Sequence, residues 1–158
     1  MMQNLMKDRF GLSYHSEKRE LSVYAISVGK GGPAAIKMVK NDSKGTLPGF
    51  GSQGPGRMRA RNATMADLAK MLQFRVLDRP VIDQSGVTDR FDFLLEWTPD
   101  EFQYPGAGAA QRPEAPTGAE ARPDLFTAFQ EQLGMKLEAT KAPAEVFVID
   151  KVSKPSEN

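Results

Sequence analysis

His15 is the only imidazole in the chain, and there is no cysteine. A lone histidine would have to serve as general base or metal anchor almost unaided, and general-base catalysis demands positioned partners. Within an alternating strand pattern it is expected to face solvent. Five acids fall close together: Asp83, Asp89, Asp92, Glu96 and Asp100. Paired carboxylates carry out glycoside hydrolysis, and carboxylate oxygens ligate calcium. Asp92 and Glu96, however, alternate with Phe91, Phe93, Leu95 and Trp97, the pattern of the wet face of a half-buried strand. A calcium loop also spaces its carboxylates more tightly. Gly29-Lys30-Gly31-Gly32 superficially resembles a phosphate cradle, but Pro33 follows where a Walker loop needs Gly-Lys and then Ser or Thr at the head of a helix. Ser13, Ser22 and Ser85 lack a nucleophile-elbow setting. Trp97, Phe102 and Tyr104 stand at the entrance to a proline-rich stretch, where aromatics can mark an interaction surface, although Trp97 also suits a core. No catalytic residue, metal ligand or cofactor site is expected. The candidate binding set is Trp97, Phe102 and Tyr104, with Asp92 and Glu96.

The elements that would position these residues follow from periodicity. Residues 2–10 have helical spacing at Leu5, Met6 and Phe10, closed by Gly11. Leu12 to Glu17 reads as a strand, Glu17-Lys18-Arg19-Glu20 as a polar turn, and Leu21 to Val28 as an interior strand with both faces apolar. Gly45, Gly49, Gly51, Gly54 and Gly56, with Pro48 and Pro55, make residues 40–56 a flexible loop, and a short extended stretch follows from Arg57 to Asn62. Thr64-Met65-Ala66-Asp67 starts a helix. Met65, Leu68, Ala69 and Leu72 form its apolar stripe over residues 65–75. Residues 80–83 and 91–97 are strands around a Gln84-Ser85-Gly86 turn. Pro99, Pro105, Pro113 and Pro116 make residues 98–122 a poorly ordered loop. Asp124 caps a helix to Leu133 with Leu125, Phe129 and Leu133 inward, and Gly134 ends it. Met135 to Ala139 and Glu145 to Lys151 are two strands joined across Lys141-Ala142-Pro143. The tail, 153–158, is polar and frayed.

Composition excludes more than it assigns. The chain has 158 residues, a net charge of +1 and 40% hydrophobic residues, enough for one composite core. Lys and Arg are interleaved with acids, so no concentrated basic face points to nucleic acid. The absence of cysteine removes disulfides and thiolate chemistry. No apolar run reaches membrane-spanning length. Residues 1–10 lack the long apolar stretch and small-residue cleavage site of a signal peptide.

The first and last parts of the chain look alike. Phe10-Gly11-Leu12-Ser13-Tyr14 parallels Leu133-Gly134-Met135-Lys136-Leu137, and Leu21 to Ile26 parallels Ala144 to Ile149. The stretch from Thr64 to Trp97 has the same order of elements. One helix with two strands cannot bury its own apolar face, but several sharing sheets can. The expected class is α+β, with three helix–strand–strand units in mixed or antiparallel sheets and helices packed on one face. The units are 1–39, 57–97 and 123–152, separated by loops at 40–56 and 98–122.

Three blocks then carry a resemblance over nearly the whole chain. The first is Asp8-Arg9-Phe10-Gly11-Leu12, Glu20 to Ala25 and Lys30-Gly31-Gly32-Pro33. The second is Arg79 to Asp83, Ser85 to Thr88, Arg90 to Phe93 and Glu96 to Asp100. The third is Leu125 to Ala128, Gln130 to Gly134 and Val148 to Asn158. In this order they resemble the soil-associated, uncharacterised DUF3738 family, expanded in Acidobacteria and their relatives. The resemblance implies an extracytoplasmic setting, since members usually carry an export signal and an upstream half, and some are fused to membrane-bound metallopeptidases of the M56 type. It defines no catalytic residues. This chain shows neither signal nor upstream half, which fits a truncated copy, cytoplasmic if it is the whole product. The unit is also loosely similar to the small N-terminal domains of secretins and TonB-dependent receptors, a likeness of fold alone. The expected function is a non-catalytic envelope module, sensory or scaffold, contacting an unknown protein or peptide partner through a sheet edge or the long loops. Hydrolysis by the acids between Asp83 and Asp100 is the alternative, and a paralogue without activity a third. The oligomeric state stays open.

Overall fold

The computed structural model describes residues 13–43, 46–104 and 122–151. Its elements are β1 (Ser13–Val28), a 3-10 turn (Gly32–Ala35), β2 (Val39–Lys40), β3 (Gly49–Ser52), β4 (Arg57–Ala63), α1 (Met65–Arg75), β5 (Val81–Asp83), β6 (Phe91–Glu96), α2 (Leu125–Ala128, continued by a π turn over Phe129–Leu133) and β7 (Met135–Lys151). The expected α+β class is what the chain adopts. One sheet is ordered β5-β1-β7 and the other β2-β6-β4-β3. The chain divides into a larger unit, Ser22–Thr140, and a smaller one made of Met1–Leu21 and Lys141–Asn158. The expected helix at residues 2–10, the tail, and residues 105–121 of the long loop lie outside the described residues.

In the larger unit the four-stranded sheet is antiparallel throughout. β6 alternates as its sequence demands, with Phe91 and Leu95 buried, Asp92 half-buried and Leu94 exposed. α1 begins with a reciprocal cap. Thr64 Oγ1 accepts from Asp67 N at 3.1 Å, and Asp67 Oδ2 accepts from Thr64 N at 3.1 Å. This satisfies two amides that the helix leaves without partners. The apolar stripe Met65, Leu68, Ala69 and Leu72 is buried as its spacing requires. These side chains join Ile26, Phe91, Leu95, Trp97, Leu125, Phe129 and Leu133 in one cluster. Each large side chain so buried contributes about 1.5–3 kcal/mol. The inner part of β1 is an interior strand, parallel to β5 with Tyr24 opposite Val81 and Ile26 opposite Asp83.

Two glycines fix the chain where it reverses. Gly134 ends α2 at φ 70°, and a Cβ there would sit 1.9 Å from Ala35 O. Gly56 lies at φ 68°, where a Cβ would be 2.1 Å from Trp97 O. Both combine a left-handed backbone with close approach of another chain segment, so only glycine fits.

Several expected turns and loops are strands instead. Residues 17–20 do not reverse the chain, because β1 runs unbroken through them. They contain no Gly, Pro or Asn to enforce a turn, and Glu17 and Arg19, two apart on one face, pair with each other. Likewise β7 passes straight through Lys141-Ala142-Pro143. Pro143 lacks only an N–H, a loss a strand tolerates where no ladder bond is needed there. The glycine-rich loop also contains β3, whose residues 49–52 pair with β4 from Arg61 back to Met58. Phe50, packed against the core, anchors that strand despite its weak propensity. The expected strand pairs differ accordingly. β5 and β6 lie in different sheets, and each outer pair is one long strand.

The smaller unit holds, among the described residues, the outer stretches of β1 and β7. His15 Nδ1 meets both oxygens of Asp150 at 2.9 and 3.0 Å, and its Nε2 lies 3.8 Å from Glu17. The histidine expected to stand alone in solvent is exposed but paired. The hydrogen bond to Asp150, then that carboxylate's charge, raises the imidazole pKa above its ordinary value.

Candidate functional site

The residue types expected to bind are distributed in two places. Trp97 closes β6 and is fully buried. Its Nε1–H donates to Gln103 Oε1 at 2.7 Å, and Gln103 Nε2 donates to Asp100 Oδ2 at 2.9 Å. Asp100 Oδ1 accepts from Phe102 N at 2.9 Å. The acid therefore organises a tight turn, as aspartate does through its own following amides. Tyr104 sits at φ 58° with its N–H donating to Val76 O at 2.7 Å, and its hydroxyl accepts from Gly56 N at 3.1 Å. Burial raises the Tyr104 pKa. Trp97 and Tyr104 thus serve packing and loop anchoring rather than an open surface. Phe102 is the one of the three that points out, at 67% exposure.

Phe102 borders a cleft of about 230 Å³ whose other walls include Tyr24, Phe126, Asp78, Arg79 and Asp100. Four segments build it. β1 supplies Tyr24, whose N–H donates to Pro80 O at 2.8 Å. The connection after α1 supplies Asp78 and Arg79, the Asp100 turn supplies Phe102, and the first turn of α2 supplies Phe126. That helix turn is set by Asp124, whose Oδ1 accepts from Phe126 N at 2.9 Å and Thr127 N at 3.1 Å. The Tyr24 and Phe126 rings are 5.9 Å apart at 49°, within the range of a favourable tilted pair. The Arg79 guanidinium lies 5.9 Å from the Tyr24 centroid, a cation–π distance, and its Nε is 3.4 Å from Asp78. Burial, and then the Asp78 charge, raise the Tyr24 pKa, while Arg79 opposes them. The cleft gathers two carboxylates, but both oxygens of Asp100 are held by its own turn and Asp78 faces Arg79 and Tyr24. What it presents outward is mixed, the rings of Phe102, Tyr24 and Phe126 beside the exposed charged side chains of Asp78, Arg79 and Asp100.

Asp92 and Glu96 share the outer face of β6 but not this cleft. Asp92 Oδ1 accepts from Asn41 Nδ2 and Asn62 N, each at 2.7 Å. Asn62 has φ 51° and occupies an irregularity in the β4–β6 register, so Asp92 satisfies an amide that the bulge removes from the ladder. Those two hydrogen bonds, Asn41 foremost, hold the Asp92 carboxyl below its usual pKa. Glu96 pairs with Arg57 at 2.7 Å, and Gln132 bonds its backbone twice, at 2.9 and 2.6 Å. Among the described residues no group of three or more acids or histidines could hold a metal ion. No helix among them is long and apolar enough to cross a membrane.

Sequence reasoning located Phe102 but missed Tyr24, Asp78, Arg79 and Phe126. They come from three segments far apart in the chain, so no local spacing could have joined them. The one available signal was Tyr24, an aromatic with a hydroxyl on an interior strand.

A family model described as a protein of unknown function, DUF3738, matches residues 1–152. No curated protein and no solved structure matches the chain.

Proposed function

Because the chain belongs to the DUF3738 family, whose description assigns no function, we propose a reading drawn from the site itself: a non-catalytic binding module that takes an aromatic or aliphatic side chain of a partner peptide into the cleft beneath Phe102. The observation that carries it is an exposed phenylalanine, held in a fixed turn by Asp100, beside the paired rings of Tyr24 and Phe126. Large exposed aromatics beside a concave wall of rings and a few polar groups are the usual anchors of recognition. A turn braced in advance also lowers the ordering cost of binding. The setting we assign is extracytoplasmic, on the family resemblance, and the role a sensory or scaffold one.

Hydrolysis by the acids between Asp83 and Asp100 is the weaker reading, because each is already engaged. Asp83 accepts from Ser85 N and Oγ at 2.9 and 2.6 Å, Asp89 pairs with Lys40 at 2.6 Å, and Asp92, Glu96 and Asp100 are held as described.

The test is selection from a displayed random peptide library on wild-type protein, with the selected peptides then titrated against Phe102→Ala. The expected peptides share an aromatic or branched aliphatic residue and lose at least about tenfold in affinity for the variant, whose unfolding curve stays unchanged. Peptides that bind the variant as tightly as wild type would remove the cleft as the site.

A further inference from the structure

Among the described residues the four-stranded sheet ends in β3, and its outer face carries a row of arginines on the neighbouring strand. β4 puts Arg57, Arg59 and Arg61 at alternate positions, all on one face. Arg57 is held by Glu96 at 2.7 Å. Arg59 and Arg61 are exposed, and among the described residues their guanidiniums form no ion pair or hydrogen bond. Their charges reach Asp92, but that carboxylate bonds to Asn41 and Asn62 instead. On β3 the residues opposite Arg61 and Arg59 are Gly49 and Gly51. Both are exposed, and a Cβ added to either would meet nothing within 4 Å. The two guanidiniums and the two bare glycines line a trough of about 340 Å³.

We propose that this trough and the outer edge of β3 form a docking site for an extended acidic peptide, which adds to the sheet as a further strand and places alternate carboxylates on Arg59 and Arg61. An edge strand offers unpaired N–H and C=O groups to another chain. Neighbouring strands lie about 4.8 Å apart, so the absence of side chains at Gly49 and Gly51 lets long arginines lean across β3 toward the next strand. Same-face residues repeat about every 6.7 Å along both β4 and an added strand, so two guanidiniums match two carboxylates of a peptide with acids at every second position. Arginine and carboxylate form the strongest side-chain hydrogen bonds available for this purpose. A second copy of the chain is the wrong occupant. Pairing β3 with β3 would leave the two β4 strands flanking a pair of strands with bare glycines, and four guanidiniums would lean toward one another across them with no carboxylate between, where like charges repel.

The probe is a blocked nonapeptide alternating glutamate and threonine. Its comparators are the lysine–threonine analogue, two versions N-methylated at the glutamates or at the threonines, and inorganic phosphate. The expected result is binding of the glutamate peptide at low ionic strength, weakening as salt is added, with amide shifts at Gly49, Phe50, Gly51 and Ser52. The Arg59→Gln/Arg61→Gln protein should bind at least about tenfold more weakly. One of the two N-methylated versions should fail, because it cannot form the ladder. Phe102→Ala should bind the glutamate peptide as wild type does, which separates this site from the cleft. Equal binding by the lysine peptide, undiminished binding by the double variant, or tight binding by both methylated versions would each overturn the proposal. So would binding of phosphate with none of the peptide, which would leave a small-anion site only.

Discussion

Asp92 shows why a carboxylate's position in a strand says little about its work. Its alternation with apolar neighbours gave a wet-face residue, and the same residue was also a candidate for binding. In the fold it holds Asn41 and the amide of the Asn62 bulge. Asp92→Ala leaves that amide without its acceptor and should cost about 1–2 kcal/mol, read from urea unfolding followed by circular dichroism. Since folding lowers this pKa, the contribution is present above the unfolded value of 3.8 and is lost as pH falls through the folded one. The Asp92→Ala protein should therefore show less loss of stability on acidification than wild type. His15 has the opposite sign. Its raised pKa means that pairing with Asp150 favours the folded smaller unit below 6.5 and that the benefit disappears as pH rises through the folded value. The His15 ring protons, followed by nuclear magnetic resonance, should titrate with a midpoint above 6.5, and Asp150→Asn should bring that midpoint down. An unchanged midpoint would mean that the pair does not form in solution. The sequence could not reveal this partner, because Asp150 lies 135 positions away.

Elements were legible where their signals are local. The α1 boundaries follow from Thr64, Asp67 and the Met65, Leu68, Ala69, Leu72 stripe, all within one stretch of chain. Thr64→Ala should remove about 1 kcal/mol of stability, with a similar loss in an Asp67→Ala protein and little further loss in the double variant, since the two act as one cap. Elements were misjudged where a remote strand decides. The charged run at 17–20, polar but without a turn-forming residue, and the Lys141-Ala142-Pro143 step each lie in a strand supported by its neighbour. β3 is the converse case, where glycines that argue for a loop are overruled by pairing with β4 and by Phe50. Gly56→Ala should be the most damaging single methyl in this region, at about 2–4 kcal/mol, because it meets both a left-handed φ and the Trp97 carbonyl. A thermal unfolding midpoint equal to wild type would refute that.

At the scale of the molecule, the sequence called for a pooled apolar interior, and the larger unit supplies one that contains Ile26, Phe91, Phe129 and Leu133. It did not show that β1 and β7 would each extend into a second, sparser unit. Among described residues there, Ala142 is the one buried apolar side chain. Local stability follows buried contacts, so amides of residues 13–21 should exchange with solvent markedly faster than those of Val23 to Ile26, although one strand carries both. Equal protection along β1 would show that the smaller unit is held by more than its described side chains. The cleft belongs to this scale as well. Its rings come from β1, the Asp100 turn and α2, and only the closed fold makes them neighbours.

The bond from the indole to Gln103 gives the chain a built-in optical probe. Trp97 is its only tryptophan and lies sealed from water, while Gln103, the acceptor of its N–H, also borders the cleft. A molecule that displaces or polarises that amide will change the emission of a single, unambiguous fluorophore, so occupancy can be followed without attaching a dye.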